Sequence, residues 1–136
     1  MELAEPTAIN TKNNNNTKDL KESLQILQTW FSPLFPVGSF SYSHGLEAMI
    51  DDNLIKSKED ILDYLKSVLK HGTGKNDIIL IKHTYQGEEL NELALSLCPT
   101  KERKIECIEM GNAFRKVLGD SWNYKIPENT AYPISV

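Results

Sequence analysis

Cysteine is scarce: Cys98 and Cys107 are the only two in 136 residues, with no C-x-x-C spacing and no adjacent histidine pair. A structural zinc site needs four close ligands, and reduced, buried cysteines are the commoner reading than a redox pair, so both cysteines read as reduced and buried. Histidine is scarce too. His44, His71 and His83 lie in separate segments without an i, i+4 partner, so no metal-ligand set is evident, and His71, beside Gly72, suits the carbonyl end of a helix. Basic charge is in deficit, with 15 Lys and Arg against 19 Asp and Glu, which argues against a nucleic-acid binder driven by phosphate contacts. No apolar run approaches the ~18 residues of a membrane span, and the N-terminus lacks a charged stretch followed by an apolar one. The expected setting is therefore cytoplasmic, with no membrane role.

Strand signals are also missing. Ile78 to Ile81 is rich in β-branched side chains, but with no second candidate strand to pair with it, helix is the better reading. The expected fold is all-α, a single-domain helical bundle of about six helices joined by short connections. Residues 1–18, with Pro6, four asparagines from Asn13 to Asn16 and few apolar residues, predict a disordered tail, leaving one domain over 19–136. Asp19 and Glu22 have the spacing of a capping box, and Leu20, Leu24, Leu27 and Phe31 continue with helical periodicity. Ser57 is placed to cap a helix with Ile61, Leu62, Leu65, Val68 and Leu69 on one face, ended by Gly72 and Gly74. A short helix follows within Glu88 to Leu97. Thr100 then caps a longer one to about Leu118, with Cys107, Met110, Phe114 and Val117 on one face and Ile105, Ile108 and Leu118 broadening it. Gly111 inside that helix implies close packing, because a helical glycine otherwise costs about 1 kcal/mol relative to alanine.

The richest segment is Ser32 to Glu47, Ser-Pro-Leu-Phe-Pro-Val-Gly-Ser-Phe-Ser-Tyr-Ser-His-Gly-Leu-Glu. Pro33 and Pro36 stop an incoming helix, Gly38 permits a turn, and Ser39 is placed to cap a new helix. Read as a helix, the segment puts Tyr42, Leu46 and Met49 toward the core and makes a small-residue stripe of Ser41, Gly45 and Ala48. Ser43, His44 and Glu47 fall on a polar face. Ser41, His44 and Glu47 carry the groups of a hydrolase, but three groups along one helix do not make a relay, and G-x-S-x-G is absent. Catalysis is not expected.

This run is similar to the signature of the urease accessory protein family UreF. Asn76-Asp77 before an apolar helix, Glu106 to Met110-Gly111, and the closing Ala131-Tyr132-Pro133-Ile134-Ser135-Val136 agree with it, although the later pieces alone read as generic helix sequence. The resemblance implies a non-enzymatic scaffold. It would act with UreD (UreH in some species) and the GTPase UreG to insert nickel into apo-urease, as a homodimer when full length. No cofactor would be held stably, the complex handling the nickel. Pro36, Gly38, Ser39, Phe40, Tyr42, Ser43, His44, Gly45 and Glu47 match the motif and are the partner-interface candidates. The resemblance also implies further helices after Val136, so that this chain is truncated relative to the family and exposes apolar faces those helices would cover. The alternative is a generic helical interaction module with no role in urease maturation.

Overall fold

The computed structural model describes residues 9–39 and 42–136, and among them the regular structure is entirely helical. Seven helices follow in order: α1 (Ile9–Trp30), α2 (Leu46–Asp51), α3 (Lys58–His71), α4 (Thr73–Tyr85), α5 (Asn91–Ser96), α6 (Lys101–Trp122) and α7 (Tyr132–Ser135). The chain divides into two units, residues 1–35 and 36–136.

The first unit holds α1. This helix runs straight through Asp19, so Asp19 is not a cap; its carbonyl accepts from the Ser23 hydroxyl at 2.9 Å. Helix also covers residues 9–18, part of the segment expected to be a tail, as propagation adds one hydrogen bond per residue once a nucleus exists. Residues 1–8 of that expected tail lie outside the described residues. Leu20, Leu24, Leu27 and Phe31 form the anticipated stripe, and all four are exposed. The helix stops where the prolines require, and Ser32 organises the turn by accepting from Leu34 N at its hydroxyl and from Phe35 N at its carbonyl.

In the second unit, α6 packs on α7, α3 on α4, and α7 also on α4 and α5. Ser57 caps α3 as its spacing predicts, in a full capping box: Asp60 N donates to its hydroxyl and the Asp60 carboxylate accepts from Ser57 N. The Lys56 amide, which also donates to this carboxylate at 3.0 Å, contributes most to holding the Asp60 carboxyl below its ordinary range, followed by the Ser57 hydroxyl and amide. Gly72 ends α3 and begins α4 at once, which leaves Gly74 inside α4 rather than in a terminator. Ile78 to Ile81 is helical as expected. Thr100 caps α6 through Arg103 N at 3.2 Å, and α6 continues to Trp122, past the Leu118 end that the pattern suggests.

The buried residues of α6 are Glu106, Gly111, Phe114 and Leu118; of the expected face Phe114 and Leu118 are buried, Cys107, Ile108, Met110 and Val117 are half-buried and Ile105 is exposed. Gly111 is buried because a loop backbone lies on it. A Cβ there would fall 2.0 Å from the backbone oxygen of Thr130, so only glycine lets the residue 127–131 segment lie against the helix. Two asparagines satisfy that segment's backbone. Asn112 accepts from Asn129 N at 2.9 Å, and Asn91 accepts from Ala131 N at 2.8 Å. Above it Phe114 meets Tyr132 edge to face, with ring centroids 5.8 Å apart. A second cluster gathers Leu80, Ala94, Leu95 and Ala131, with Leu90, Cys107, Ile108 and Ile134 around it. Cys98 and Cys107 are free thiols, half-buried rather than buried. By contrast α3 buries no residue: Ile61, Leu62, Leu65 and Leu69 are exposed.

Candidate functional site

At His44 and Gly45 the backbone departs from the continuous helix expected from Ser39. Ser39 makes a single turn, its carbonyl accepting from Tyr42 N at 3.1 Å, and it caps no described helix. His44 (φ 54°) and Gly45 (φ 85°) are then consecutively left-handed, which ends any helical path, and α2 starts only at Leu46. The three-faced helix therefore does not form. Tyr42 is exposed, Leu46 and Met49 are half-buried, and nothing lies within 4 Å of a Cβ built on Gly45. Glycine is required at 45 by its backbone angle, not by a close-packed stripe.

A non-glycine residue in the left-handed region costs about 1 kcal/mol or more, so His44 needs compensating contacts. It has them from two elements. Its carbonyl accepts from the Tyr64 hydroxyl of α3 at 3.2 Å. On α6, Arg103 Nη1 lies 3.3 Å from His44 Nε2, and Glu106 Oε1 lies 3.3 Å from the same nitrogen. Arg103 and Glu106, one turn apart, form an ion pair of their own. The Glu106 side chain is only 6% exposed, against 28% for Arg103 and 41% for His44. The imidazole thus pairs with Glu106 rather than with Glu47.

Asp77 on α4 completes the electrostatic surroundings. Burial pushes its carboxyl above the ordinary range, and Glu106 adds to this, while Arg103 and His44 pull the other way. Asp77 borders a small cavity with Thr73, Asn76, Cys98, Arg103 and Cys107. Burial likewise raises the Cys107 thiol to about 11 despite a backbone hydrogen bond at Tyr132, so it stays protonated and unreactive at neutral pH.

The sign for Asp77 follows from linkage. A carboxyl whose pKa is raised by folding binds its proton more tightly in the folded state, so ionised Asp77 costs stability, and the cost fades as pH falls through the folded pKa toward the ordinary range. Asp77→Asn should therefore raise the melting temperature at pH 7 and change nothing at about pH 3, below the ordinary Asp range. An unchanged or lower melting temperature at pH 7 would refute the unfavourable burial.

Of the motif residues, Pro36, Gly38, Ser39, Tyr42, His44, Gly45 and Glu47 are exposed and Ser43 is half-buried; Phe40, with Ser41, lies outside the described residues. The three histidines remain apart, and among the described residues no group of three or more His, Cys, Asp or Glu could hold a metal ion. His71 closes α3, whose last carbonyls accept from Gly72 N, and His83 Nδ1 meets Glu88 Oε1 at 2.6 Å. Arg103 and Tyr64 escaped the sequence reading. The available signal was Arg103-x-x-Glu106, an ion-pair spacing that places a carboxylate on the buried face of α6.

The model of the UreF family matches residues 55–135. The chain belongs to the UreF family. The match lies downstream of the Ser32 to Glu47 run, so the helical sequence from Ile55 onward, which looked generic, identifies the family by itself. Among curated relatives, the urease accessory protein UreF 1 of Brucella canis is 38% identical over 131 residues, covering 88% of this chain and 57% of the relative. The urease accessory protein UreF of Rhodopseudomonas palustris is 34% identical over 127 residues, covering 81% of this chain and 53% of the relative. This chain thus spans little more than half the length of those relatives, and their name is that of an accessory protein rather than an enzyme. No solved structure matches.

Proposed function

We propose that this chain is a urease-maturation scaffold that acts in the cytoplasm with a UreD (UreH)-type protein and a UreG-type GTPase to promote nickel insertion into apo-urease. Nickel is cargo of the assembled complex. The observation that carries the reading is the anchoring of the motif loop: His44 is held to α6 by Arg103 and Glu106, and to α3 by Tyr64, while Tyr42 and Glu47 stay exposed beside it. An anchored His44 with exposed aromatic and acidic groups beside it suits recognition by a partner protein. The exposed apolar face of α3 supports association with other chains, including a second copy.

Co-purification of the chain with tagged UreG-type and UreD-type proteins tests this directly. Retention on either bait is expected, and replacing Ser43, His44 and Glu47 together by alanine should reduce retention at least tenfold, a loss of about 1.4 kcal/mol or more. A chain shown to be helical by circular dichroism yet retained by neither bait would overturn the proposal. Retention insensitive to the triple substitution would favour the generic interaction module.

A further inference from the structure

Cys98 and Cys107 lie on either side of the Thr100 cap, and the fold brings their sulfurs together. Both line one cavity of about 40 Å³, with Asp77 and Arg103 among its other walls. Both also meet Ala94 of α5: the Cys98 thiol donates to its carbonyl at 3.6 Å, and Cys107 packs against the cluster that contains it. A side-chain hydrogen bond joins the two thiols. Each cysteine is half-buried, so a small reagent reaches the pair without unfolding the chain. The anchoring of the motif loop uses neither of them.

We propose that Cys98 and Cys107 are a thiol-oxidation site that a peroxide closes to a disulfide within the chain. A thiolate, not a thiol, attacks peroxide, and burial keeps Cys107 protonated, so Cys98 is the attacking sulfur. Its thiolate takes one peroxide oxygen as the O–O bond breaks, giving a sulfenic acid and a hydroxide that recovers the Cys98 proton from solvent as water. The Cys107 sulfur then bonds to the Cys98 sulfur, the S–O bond breaks, and the Cys107 proton leaves with the hydroxyl as a second water. Each sulfur gives up one electron, and the peroxide takes both. Cys107 is inert toward solvent and reacts here because the fold holds it against the sulfenic sulfur. Peroxide fits the place: the cavity holds a water-sized molecule, and peroxide is scarcely larger, whereas a glutathione-type disulfide is far too large. The approach from thiol contact to a bond falls on residues 97–99, which lie outside both helices and can shift without breaking either hydrogen-bond ladder. The closed bond ties the end of α5 to α6 beside Arg103.

The test uses the whole chain, treated with hydrogen peroxide at neutral pH, alkylated, digested with trypsin and read by mass spectrometry. Lys101, Arg103 and Lys104 separate the two cysteines, so a disulfide shows as a linked pair of peptides that parts on reduction. The expected product is a single chain lighter by two hydrogens, with neither thiol left to alkylate. In Cys107→Ser, Cys98 should stop at the sulfenic acid and be captured by dimedone. In Cys98→Ser, Cys107 should oxidise at least about tenfold more slowly than Cys98 does in Cys107→Ser, because its thiol stays protonated. Sulfinic or sulfonic acid on either cysteine without the linked peptides, a link only between two chains, or equal oxidation rates in the two variants would overturn the site. The peptide map of the unsubstituted chain decides the proposal even where a variant misfolds. No partner protein enters the experiment, so its result is separable from the proposed function.

Discussion

Gly111→Ala is expected to destabilise the fold by about 3 kcal/mol, at the upper end of ordinary overpacking. The added Cβ would meet the Thr130 backbone oxygen at 2.0 Å, far inside contact distance. The neighbour cannot easily give way. Thr130 is buried, its hydroxyl donates to Pro127 O at 2.8 Å, and Asn112 and Asn91 grip the amides on either side. The gain in helix propensity, about 1 kcal/mol for glycine to alanine, is too small to offset the clash. Gly119 is the internal control. It lies on the same helix, with its nearest neighbour, Tyr124 O, at 3.7 Å, an ordinary contact. Gly119→Ala should leave stability unchanged or raise it by about 1 kcal/mol. Urea unfolding followed by circular dichroism measures both, and equal midpoints for the two variants would refute the packing assignment.

Glu106→Ala should cost about 3 kcal/mol, the low end of the range for removing one partner of a buried ion pair, because Arg103 and His44 both reach solvent. The loss has a local signature. With the carboxylate gone, Arg103 lacks its counter-ion and His44 keeps only Arg103 and Tyr64, so amide exchange should accelerate first at residues 46–50. Glu106→Gln retains an acceptor for Arg103 and should fall between wild type and alanine. A Glu106→Ala protein within about 0.5 kcal/mol of wild type would behave as an ordinary surface substitution and would remove Glu106 from the anchoring of the motif loop.

Local rules carried the sequence reading a long way. The Ser57 and Thr100 caps, the stop after Trp30, the turn at Gly38 and the helical state of Ile78 to Ile81 all follow from near-neighbour chemistry: orphan amides seek side-chain acceptors, and proline cannot donate. The failures occurred where distant contacts decide. Ser39 has the chemistry of a cap, yet the helix begins seven residues later, because His44 and Gly45 take left-handed angles compensated by Tyr64 and α6. On α6 the apolar period picks out Phe114 and Leu118 but not the buried Glu106 and Gly111, since it does not register an ion pair or that a loop's backbone will lie on a glycine.

The candidate site divides along the same line. That Pro33 and Pro36 interrupt the helical pattern, and that His44 and Glu47 are ionisable groups of the run that follows, was legible in the sequence alone, as was the all-helical class. That His44 would find Glu106, 62 positions away, and not Glu47 three positions away, was decided only by tertiary structure. The reason is physical: a left-handed backbone at 44 and 45 breaks the helical phase relating His44 to Glu47, and the ion pair on α6 supplies a better-buried partner than any local carboxylate.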